Sequence, residues 1–186
     1  MLILIVGSPA SGKTTLINEC IGYKGFKSVK IGDLMLKYAK KSGYKGDRDG
    51  LRMLPADMQM KLQRHALLQL ANLNGNYFID THISVEADGR YIHGLPNSSL
   101  GALKKVAGII YVDAPIKDIL SRRAADRARS REVEPASAIE IQKIINLSAL
   151  SNASWSLGVP FYILENGNGM LNRSVKRLKE IISELS

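Results

Sequence analysis

The sequence predicts an α/β fold, in which a five-stranded parallel sheet is covered by helices on both faces. Short apolar runs alternate with longer amphipathic stretches along the chain, an order typical of repeated strand–helix units. Several runs are apolar at every position, as expected for strands buried on both sides. A turn of small residues joins the first run to the first amphipathic stretch. These three observations favour a doubly wound parallel sheet.

Five segments are predicted to be strands and six to be helices. The strands are expected at 2–6, 28–31, 77–80, 107–112 and 161–164, and the helices at about 12–22, 33–42, 56–73, 116–128, 137–156 and 171–185. In the last helix one apolar stripe recurs at helical spacing. Residues 43–55 and 82–99 show no clear periodicity. They are predicted to be long loops, which in compact domains are often functional.

Composition sets the broad class of protein. A chain of 186 residues suits one domain, expected here to span 1–186. Its 26 Lys and Arg against 17 acidic residues give a charge of +9, which suits polyanions, although a solubilising role for charges spread along most of the chain stays open. The single cysteine, Cys20, excludes an internal disulfide and is expected to be a buried thiol. The apolar run 2–6 is too short for a membrane span or a signal segment, so a cytoplasmic protein without a membrane partner is expected.

Residues 7–14 carry the strongest chemical signal. The stretch GSPASGKT fits the pattern GxxxxGK[ST] at every fixed position, after a predicted strand and at the start of a predicted helix. Glycines allow backbone N–H groups to point inward and surround an anion. Lys13 then reaches the β- and γ-phosphates of a nucleoside triphosphate, and the Thr14 hydroxyl is a hard oxygen ligand suited to Mg²⁺.

Asp80 is the second candidate for the metal site. It ends an apolar strand, as a Walker-B carboxylate does, although a turn or N-cap aspartate would look the same. His82 follows closely and either contacts phosphate or has a structural role.

Charged clusters suggest two further phosphate contacts. Five arginines between 122 and 131 are either a solvated basic helix end or an arginine-rich lid over the phosphates; they are Arg122, Arg123, Arg127, Arg129 and Arg131. The stretch DRDGLR at 47–52 either binds the phosphate of a second substrate or forms surface ion pairs.

The motifs GSPASGKTT, IGDLMLKYAK, DRDGLRML, FIDTH, HGLP and SRRAADRARSREVE, in this order, resemble the archaeal-type adenylate kinases over nearly the whole chain. The resemblance implies a P-loop NTPase three-layer sandwich that transfers a phosphoryl group from Mg²⁺-bound ATP to AMP, giving two ADP. It also implies an AMP-binding segment near 31–60 and a short lid near 125–135. It weakly implies a homotrimer. The implied activity requires no nucleic acid.

The resemblance also assigns roles to individual residues. Catalysis is expected from Lys13, Arg122, Arg127 and Arg131, and metal binding from Thr14 and Asp80. The ATP-binding residues are expected to be Gly7, Ser8, Pro9, Ala10, Ser11, Gly12, Lys13, Thr14 and Thr15 of the loop, with Asn168 and Gly169 near the base. The AMP-binding residues are expected to be Asp33, Arg48, Arg52, His82, Arg90, Gly94 and Leu95.

The chain departs from bacterial and eukaryotic adenylate kinases at three arginine positions. Leu36 and Lys37 occupy the helix where those enzymes carry an arginine, Asn97 follows the GLP motif in place of another, and none lies between 132 and 160. Contacts to the AMP phosphate are therefore expected from Arg48, Arg52 and Arg90. The predicted lid also lacks the four-cysteine pattern of zinc-bearing relatives.

Two other functions remain open at this point. The same fold could phosphorylate CMP, UMP or a deoxynucleotide, because a few hydrogen bonds decide which base is accepted. A nucleotide-dependent RNA-binding or assembly factor with weak ATPase activity would also suit the +9 charge, although the sequence has no RNP-like aromatic motif or dense basic tail.

Overall fold

The computed structural model describes residues 1–87, 89–95, 100–101, 103–125 and 135–186. Within these residues a five-stranded parallel sheet has the strand order β2-β3-β1-β6-β7. Its strands are β1 (Leu2–Val6), β2 (Phe26–Lys30), β3 (Asn76–Asp80), β6 (Val106–Asp113) and β7 (Phe161–Glu165). The prediction of a parallel sheet with helices on both faces is confirmed.

The described helices follow the strands in the expected alternation. They are α1 (Lys13–Asn18), α2 (Ile31–Lys41), α3 (Ala56–Leu70), α4 (Ile116–Ala125), α5 (Ala136–Leu157) and α6 (Leu171–Glu184). Short 3₁₀ turns occupy Tyr23–Gly25 and Asp49–Met53. None of the helices within the described ranges is both long and apolar enough to cross a membrane.

The central strand β1 separates two apolar cores. Leu2, Leu4 and Val6 face a core completed by side chains of α3 and α5. Ile3 and Ile5 face the opposite core, which α1 and α6 complete. Because successive side chains of a strand point to opposite faces, a run of five aliphatic residues fits a strand buried on both sides.

The region 82–99 differs from its prediction as a loop. Strands β4 (Ser84–Ala87) and β5 (Arg90–His93) form an antiparallel hairpin that is separate from the main sheet. Strand β4 packs against α5 and the 3₁₀ turn at 49–53. The hairpin lies in the region 82–99 and contacts the region 43–55, near the carboxyl ends of β1 and β3.

The parallel register brings the ends of several strands to one edge of the sheet. Ile5 of β1 pairs with Asp80 of β3, and Val6 pairs with Tyr111 of β6. Ligands of open α/β sheets bind at this carboxyl edge. The same side of the molecule therefore carries the loop at 7–14, Asp80 at the end of β3, and the hairpin.

Candidate nucleotide site

The loop between β1 and α1 requires glycine at both ends. Gly7 and Gly12 have φ angles of 148° and 92°. Residues with a Cβ atom rarely adopt such positive values. A Cβ atom at Gly7 would also collide with the Val112 carbonyl oxygen, and one at Gly12 with the Asn166 amide nitrogen. The two glycines therefore let the loop pass close to β6 and to the loop after β7.

Lys13 curls back over this loop. Its side chain is buried, and Nζ donates hydrogen bonds to the carbonyl oxygens of Gly7 at 2.8 Å and Ser8 at 2.9 Å. The His82 ring contacts the same Gly7 oxygen, with 3.4 Å between Nδ1 and O. The ammonium group is thus held inside the ring of loop backbone, where phosphate oxygens bind in a P-loop.

Thr14 and Asp80 lie side by side at the mouth of the loop. The Thr14 hydroxyl donates a hydrogen bond to Asp80 Oδ2 at 3.0 Å. The described residues contain no group of three or more His, Cys, Asp or Glu side chains arranged to hold a metal. One hydroxyl and one carboxylate nevertheless suit Mg²⁺, which usually binds one or two protein oxygens, substrate phosphates and several waters.

Arg122, at the end of α4, joins the phosphate loop to the loop after β7. Its guanidinium donates to Ala10 O at 3.3 Å, Asn166 O at 2.9 Å and Asn168 Oδ1 at 3.1 Å. Asn166 in turn donates from Nδ2 to Ser11 O at 2.9 Å. These bonds hold together the loops on the expected ATP side of the site, and Asn166 belongs to the same loop as the predicted residues Asn168 and Gly169.

Asp118 fixes the same loop from α4. It is buried and accepts a hydrogen bond from the Asn168 backbone N–H at 2.7 Å. Gly169, with φ of 77°, follows in the same turn. The predicted residues Asn168 and Gly169 therefore lie beside the phosphate loop, held by an aspartate that the sequence pattern did not single out.

A buried polar cluster supports the loop from beneath. Asn146 of α5 donates from Nδ2 to Ser8 Oγ at 3.1 Å and accepts from the Ser84 hydroxyl at 2.5 Å. Burial raises the pKa of the neighbouring Tyr111 phenol, an effect partly opposed by Ser8 and Asn146. The cluster ties the phosphate loop, α5 and the hairpin to one another.

One cavity of about 500 Å³ connects the phosphate loop with the segment after α2. Twelve of the predicted site residues line it: Pro9, Ala10, Gly12, Lys13, Thr14, Thr15, Arg48, Arg52, Asp80, His82, Gly94 and Arg122. Residues that the predictions missed also line it: Lys30, Ile31, Gly32, Met35, Asp49, Leu51, Gln59, Gln63, Thr81 and Val85. The sequence signal that could have found Gln59 and Gln63 is their spacing of four residues within a predicted helix.

The arginines on the far side of this cavity are held by acids. Arg48 Nη1 lies 3.3 Å from Asp33 Oδ1, and Arg52 Nη2 lies 3.2 Å from Asp49 Oδ1. All four side chains are more than a quarter exposed, so these ion pairs contribute little to stability. They keep two cations at the cavity while leaving them accessible.

Several predicted residues lie away from the cavity or outside the described chain. Arg90 is exposed on β5, and Leu95 is buried in the core next to α3 and α5; neither lines the cavity. Arg127 and Arg131, and most of the lid predicted at 125–135, lie outside the described residues. Their assignments stay predictions.

A loop of this shape, after the central strand of a parallel sheet and before a helix, defines the class of P-loop nucleotide-binding proteins. A family model described as an AAA domain matches residues 6–140. Among solved structures, shikimate kinase from Bacteroides thetaiotaomicron aligns with a TM-score of 0.63 at 15% identity, covering 98% of both chains. The protein TT1252 from Thermus thermophilus aligns with a TM-score of 0.56 at 16% identity, covering 100% of this chain and 98% of its own. These likenesses establish the fold.

Sequence comparison narrows the class to one family. The chain is 31% identical to an adenylate kinase from Methanopyrus kandleri, covering 99% of this chain and 98% of that one. It is 31% identical to the adenylate kinase of Methanoculleus marisnigri, with 97% of each chain covered. It is 28% identical to that of Methanothermobacter thermautotrophicus, covering 97% of this chain and 98% of the other. The chain belongs to the adenylate kinase family.

Proposed function

We propose that this protein catalyses reversible, Mg²⁺-dependent phosphoryl transfer from ATP to AMP, giving two ADP. The observation that carries the proposal is the single cavity that joins the phosphate loop to Arg48 and Arg52. A site for one nucleotide needs cations around one set of phosphates only, whereas an acceptor phosphate that meets the γ-phosphate of ATP needs cations of its own. The adenylate kinases to which the chain is similar support AMP as the acceptor.

The proposed mechanism depends on positioning and on stabilisation of charge. An AMP phosphate oxygen is already ionised, so it attacks the γ-phosphorus of ATP without a strong general base. The bond from that phosphorus to the β–γ bridging oxygen breaks, and ADP leaves. Lys13 stabilises the developing negative charge by moving from its carbonyl partners to the phosphates.

Arg122 has a different part in this mechanism. It holds the donor loops together through three hydrogen bonds and adds positive charge next to the phosphates. Arg127 and Arg131 are proposed to close over the site and exclude water. Thr14 and Asp80 would hold Mg²⁺, which would neutralise part of the phosphate charge when bound.

On the acceptor side, Arg48 and Arg52 are proposed to bind the AMP phosphate. Each would exchange its present carboxylate partner for phosphate oxygens, which the planar guanidinium can contact in pairs. The acceptor segment predicted at 31–60 contains both. Its elements, α2 and the turn at 49–53, contribute lining residues to the cavity.

The test is a panel of acceptors with Mg²⁺ and ATP. We expect ADP formation with AMP to exceed that with CMP, UMP, GMP or dAMP, and to stop on chelation of Mg²⁺ by EDTA. If CMP or UMP is phosphorylated faster than AMP, that nucleotide and not AMP is the acceptor. Turnover that no acceptor raises above ATP hydrolysis alone would reject the kinase proposal.

A further inference from the structure

Lys30 is a cation of the nucleotide cavity that the proposed mechanism does not use. It ends β2, is partly buried and lines the cavity. Lysine is usually exposed, because its compact ammonium group is strongly hydrated. Within the described chain the Lys30 ammonium has neither a hydrogen bond nor an ion pair, whereas Arg48 and Arg52 each have a carboxylate partner. A charged group placed in this way suits an anion that enters the cavity.

The register of the sheet puts Lys30 beside the proposed metal site. Lys30 of β2 lies opposite Asp80 of β3 in the parallel pairing. Side chains alternate along a strand, so Lys30 and Asp80 lie on the face where Phe26 stacks on Phe78, with 4.4 Å between ring centroids. The Asp80 carboxylate accepts a hydrogen bond from Thr14, and no ion pair joins these two described neighbours, Lys30 and Asp80. The ammonium is therefore not occupied by the carboxylate next to it.

Arg48 approaches the same wall of the cavity from the acceptor side. A Cβ atom at Gly32, two residues after Lys30, would lie 3.0 Å from Arg48 Cδ. The aliphatic stem of Arg48 thus packs across the start of α2. Lys30 therefore neighbours a candidate metal ligand, Asp80, across the sheet and an acceptor arginine, Arg48, along the chain, and all three line the cavity.

The strand order indicates which phosphate lies nearest Lys30. Strand β3 separates β2 from β1, and neighbouring strands lie about 4.8 Å apart, so Lys30 begins about 10 Å from the strand that carries the phosphate loop. That loop and Lys13 serve the β- and γ-phosphates of the donor. A phosphate bound by Arg48 would meet the γ-phosphate from the side of the cavity on which Lys30 lies.

We propose that Lys30 binds the acceptor phosphate where this group meets the γ-phosphate of ATP, as a cation additional to Arg48 and Arg52. The inference rests on the function proposed above. Transfer requires two anionic phosphates to approach to about 3–3.5 Å, and their mutual repulsion opposes this approach. An ammonium group on a flexible stem offers three donors and follows the attacking oxygen as it moves. Lys30 forms no covalent bond in this role.

The experiment removes the Lys30 charge while the donor site stays filled. At saturating Mg²⁺ and ATP, kcat/KM for AMP and the competitive inhibition constant of adenosine against AMP are measured for the wild type, Lys30→Met and Lys30→Arg. Adenosine lacks only the phosphate of AMP, so comparing the two quantities isolates contacts to the phosphate. Lys27→Met, which changes an exposed lysine of the same strand, is the matched control. KM for ATP at saturating AMP is measured for all four proteins.

In Lys30→Met we expect kcat/KM for AMP to fall by about tenfold or more, because a hydrogen bond to a charged group is lost. The inhibition constant of adenosine and KM for ATP should stay close to their wild-type values. Lys30→Arg should recover most of the loss because it restores the charge, and Lys27→Met should match the wild type. A disturbed fold would weaken adenosine inhibition as well, so an unchanged constant shows that the nucleoside pocket is intact.

An unchanged kcat/KM for AMP in Lys30→Met would overturn the inference, as would an equal loss in Lys27→Met. A loss that adenosine inhibition follows in proportion would assign Lys30 a structural role. A higher KM for ATP without an effect on AMP would place Lys30 on the donor phosphates.

A wild type that phosphorylates no nucleotide would reject the proposed function separately. Calorimetric titration with AMP then decides on Lys30. Weaker binding of AMP by Lys30→Met than by the wild type would support the inference, and equal affinity would overturn it.

Discussion

At the scale of single residues, the site depends on side chains whose present partners are replaceable. Lys13, Arg48 and Arg52 are bound to carbonyl or carboxylate oxygens that a phosphate can replace. Asp118 and Gln59 instead bind backbone groups and hold loops in place. The first group is expected to determine chemistry, and the second the shape of the cavity.

Lys13→Ala tests the first group. Removing the ammonium takes away positive charge where the transferring phosphoryl group becomes negative, so kcat should fall by about 100-fold or more. The melting temperature should change little beside this loss, because Lys13 Nζ donates to carbonyl oxygens of the phosphate loop and is not part of the apolar core. Steady-state kinetics and thermal denaturation check both points.

Lys61→Ala, an exposed lysine of α3, is the control and should keep wild-type activity. Near-normal turnover of Lys13→Ala would contradict a role for this lysine in phosphate binding.

At the scale of elements, α5 serves the site without reaching the cavity. Its Asn146 bridges Ser8 of the phosphate loop and Ser84 of β4. Helix, loop and hairpin are thereby fixed relative to one another by one buried side chain. A displacement of the hairpin would pass through Asn146 to the loop that holds Lys13.

Asn146→Leu should lower the free energy of unfolding by about 1–3 kcal/mol, because Ser8 and Ser84 lose their buried partner. It should also reduce kcat/KM for ATP severalfold, since the phosphate loop loses its support. Urea denaturation and steady-state kinetics measure the two effects. Asn152→Leu, exposed on the same helix, should change neither; equal effects of the two substitutions would argue against the bridge.

The elements also show how far the sequence could predict this structure. The strand at 2–6 was recognisable because both of its faces are buried and apolar. The strand at 77–80 was recognisable because Phe78 and Ile79 point into opposite apolar cores. The hairpin at 84–93 was missed, because its strands are four residues long and carry mixed side chains. The Asp88-Gly89 pair between them is a sequence signal typical of hairpin turns.

The site was predictable to a different extent on its two sides. The donor half follows from one continuous motif, whose spacing is fixed by the backbone that surrounds phosphate. The acceptor half draws on α2, α3, the 3₁₀ turn and β4, and no local pattern brings these together. Glutamine is usually exposed, so the buried Gln59 and Gln63 drew no attention in the sequence.

At the scale of the whole molecule, two buried ionisable groups affect how stability depends on pH. Burial raises the pKa of the Cys20 thiol, despite the opposing charge of Lys179, and burial likewise raises that of Tyr111. Both groups stay protonated in the folded chain after they have ionised in the unfolded chain. The unfolded state then binds fewer protons, so stability falls as pH rises.

We therefore expect the free energy of unfolding to decline from about pH 8.5 upward, where exposed thiols and then phenols ionise. Urea denaturation at intervals between pH 7 and 10.5 measures this. Tyr111→Phe removes one of the two groups and should show a shallower decline above about pH 9.5. Parallel curves for the wild type and Tyr111→Phe would contradict a contribution from Tyr111.

The strand order has a consequence for how the chain folds. Leu2 of β1 pairs with Tyr77 of β3 and with Val106 of β6, so the central strand finds both neighbours far away in sequence. Closing such long loops costs entropy before the apolar contacts can compensate for it, which slows folding. Until β3 and β6 arrive, five consecutive aliphatic residues remain unpaired and prone to aggregate. The strand that anchors the phosphate loop in the native state is thus the segment of the nascent chain that most needs protection.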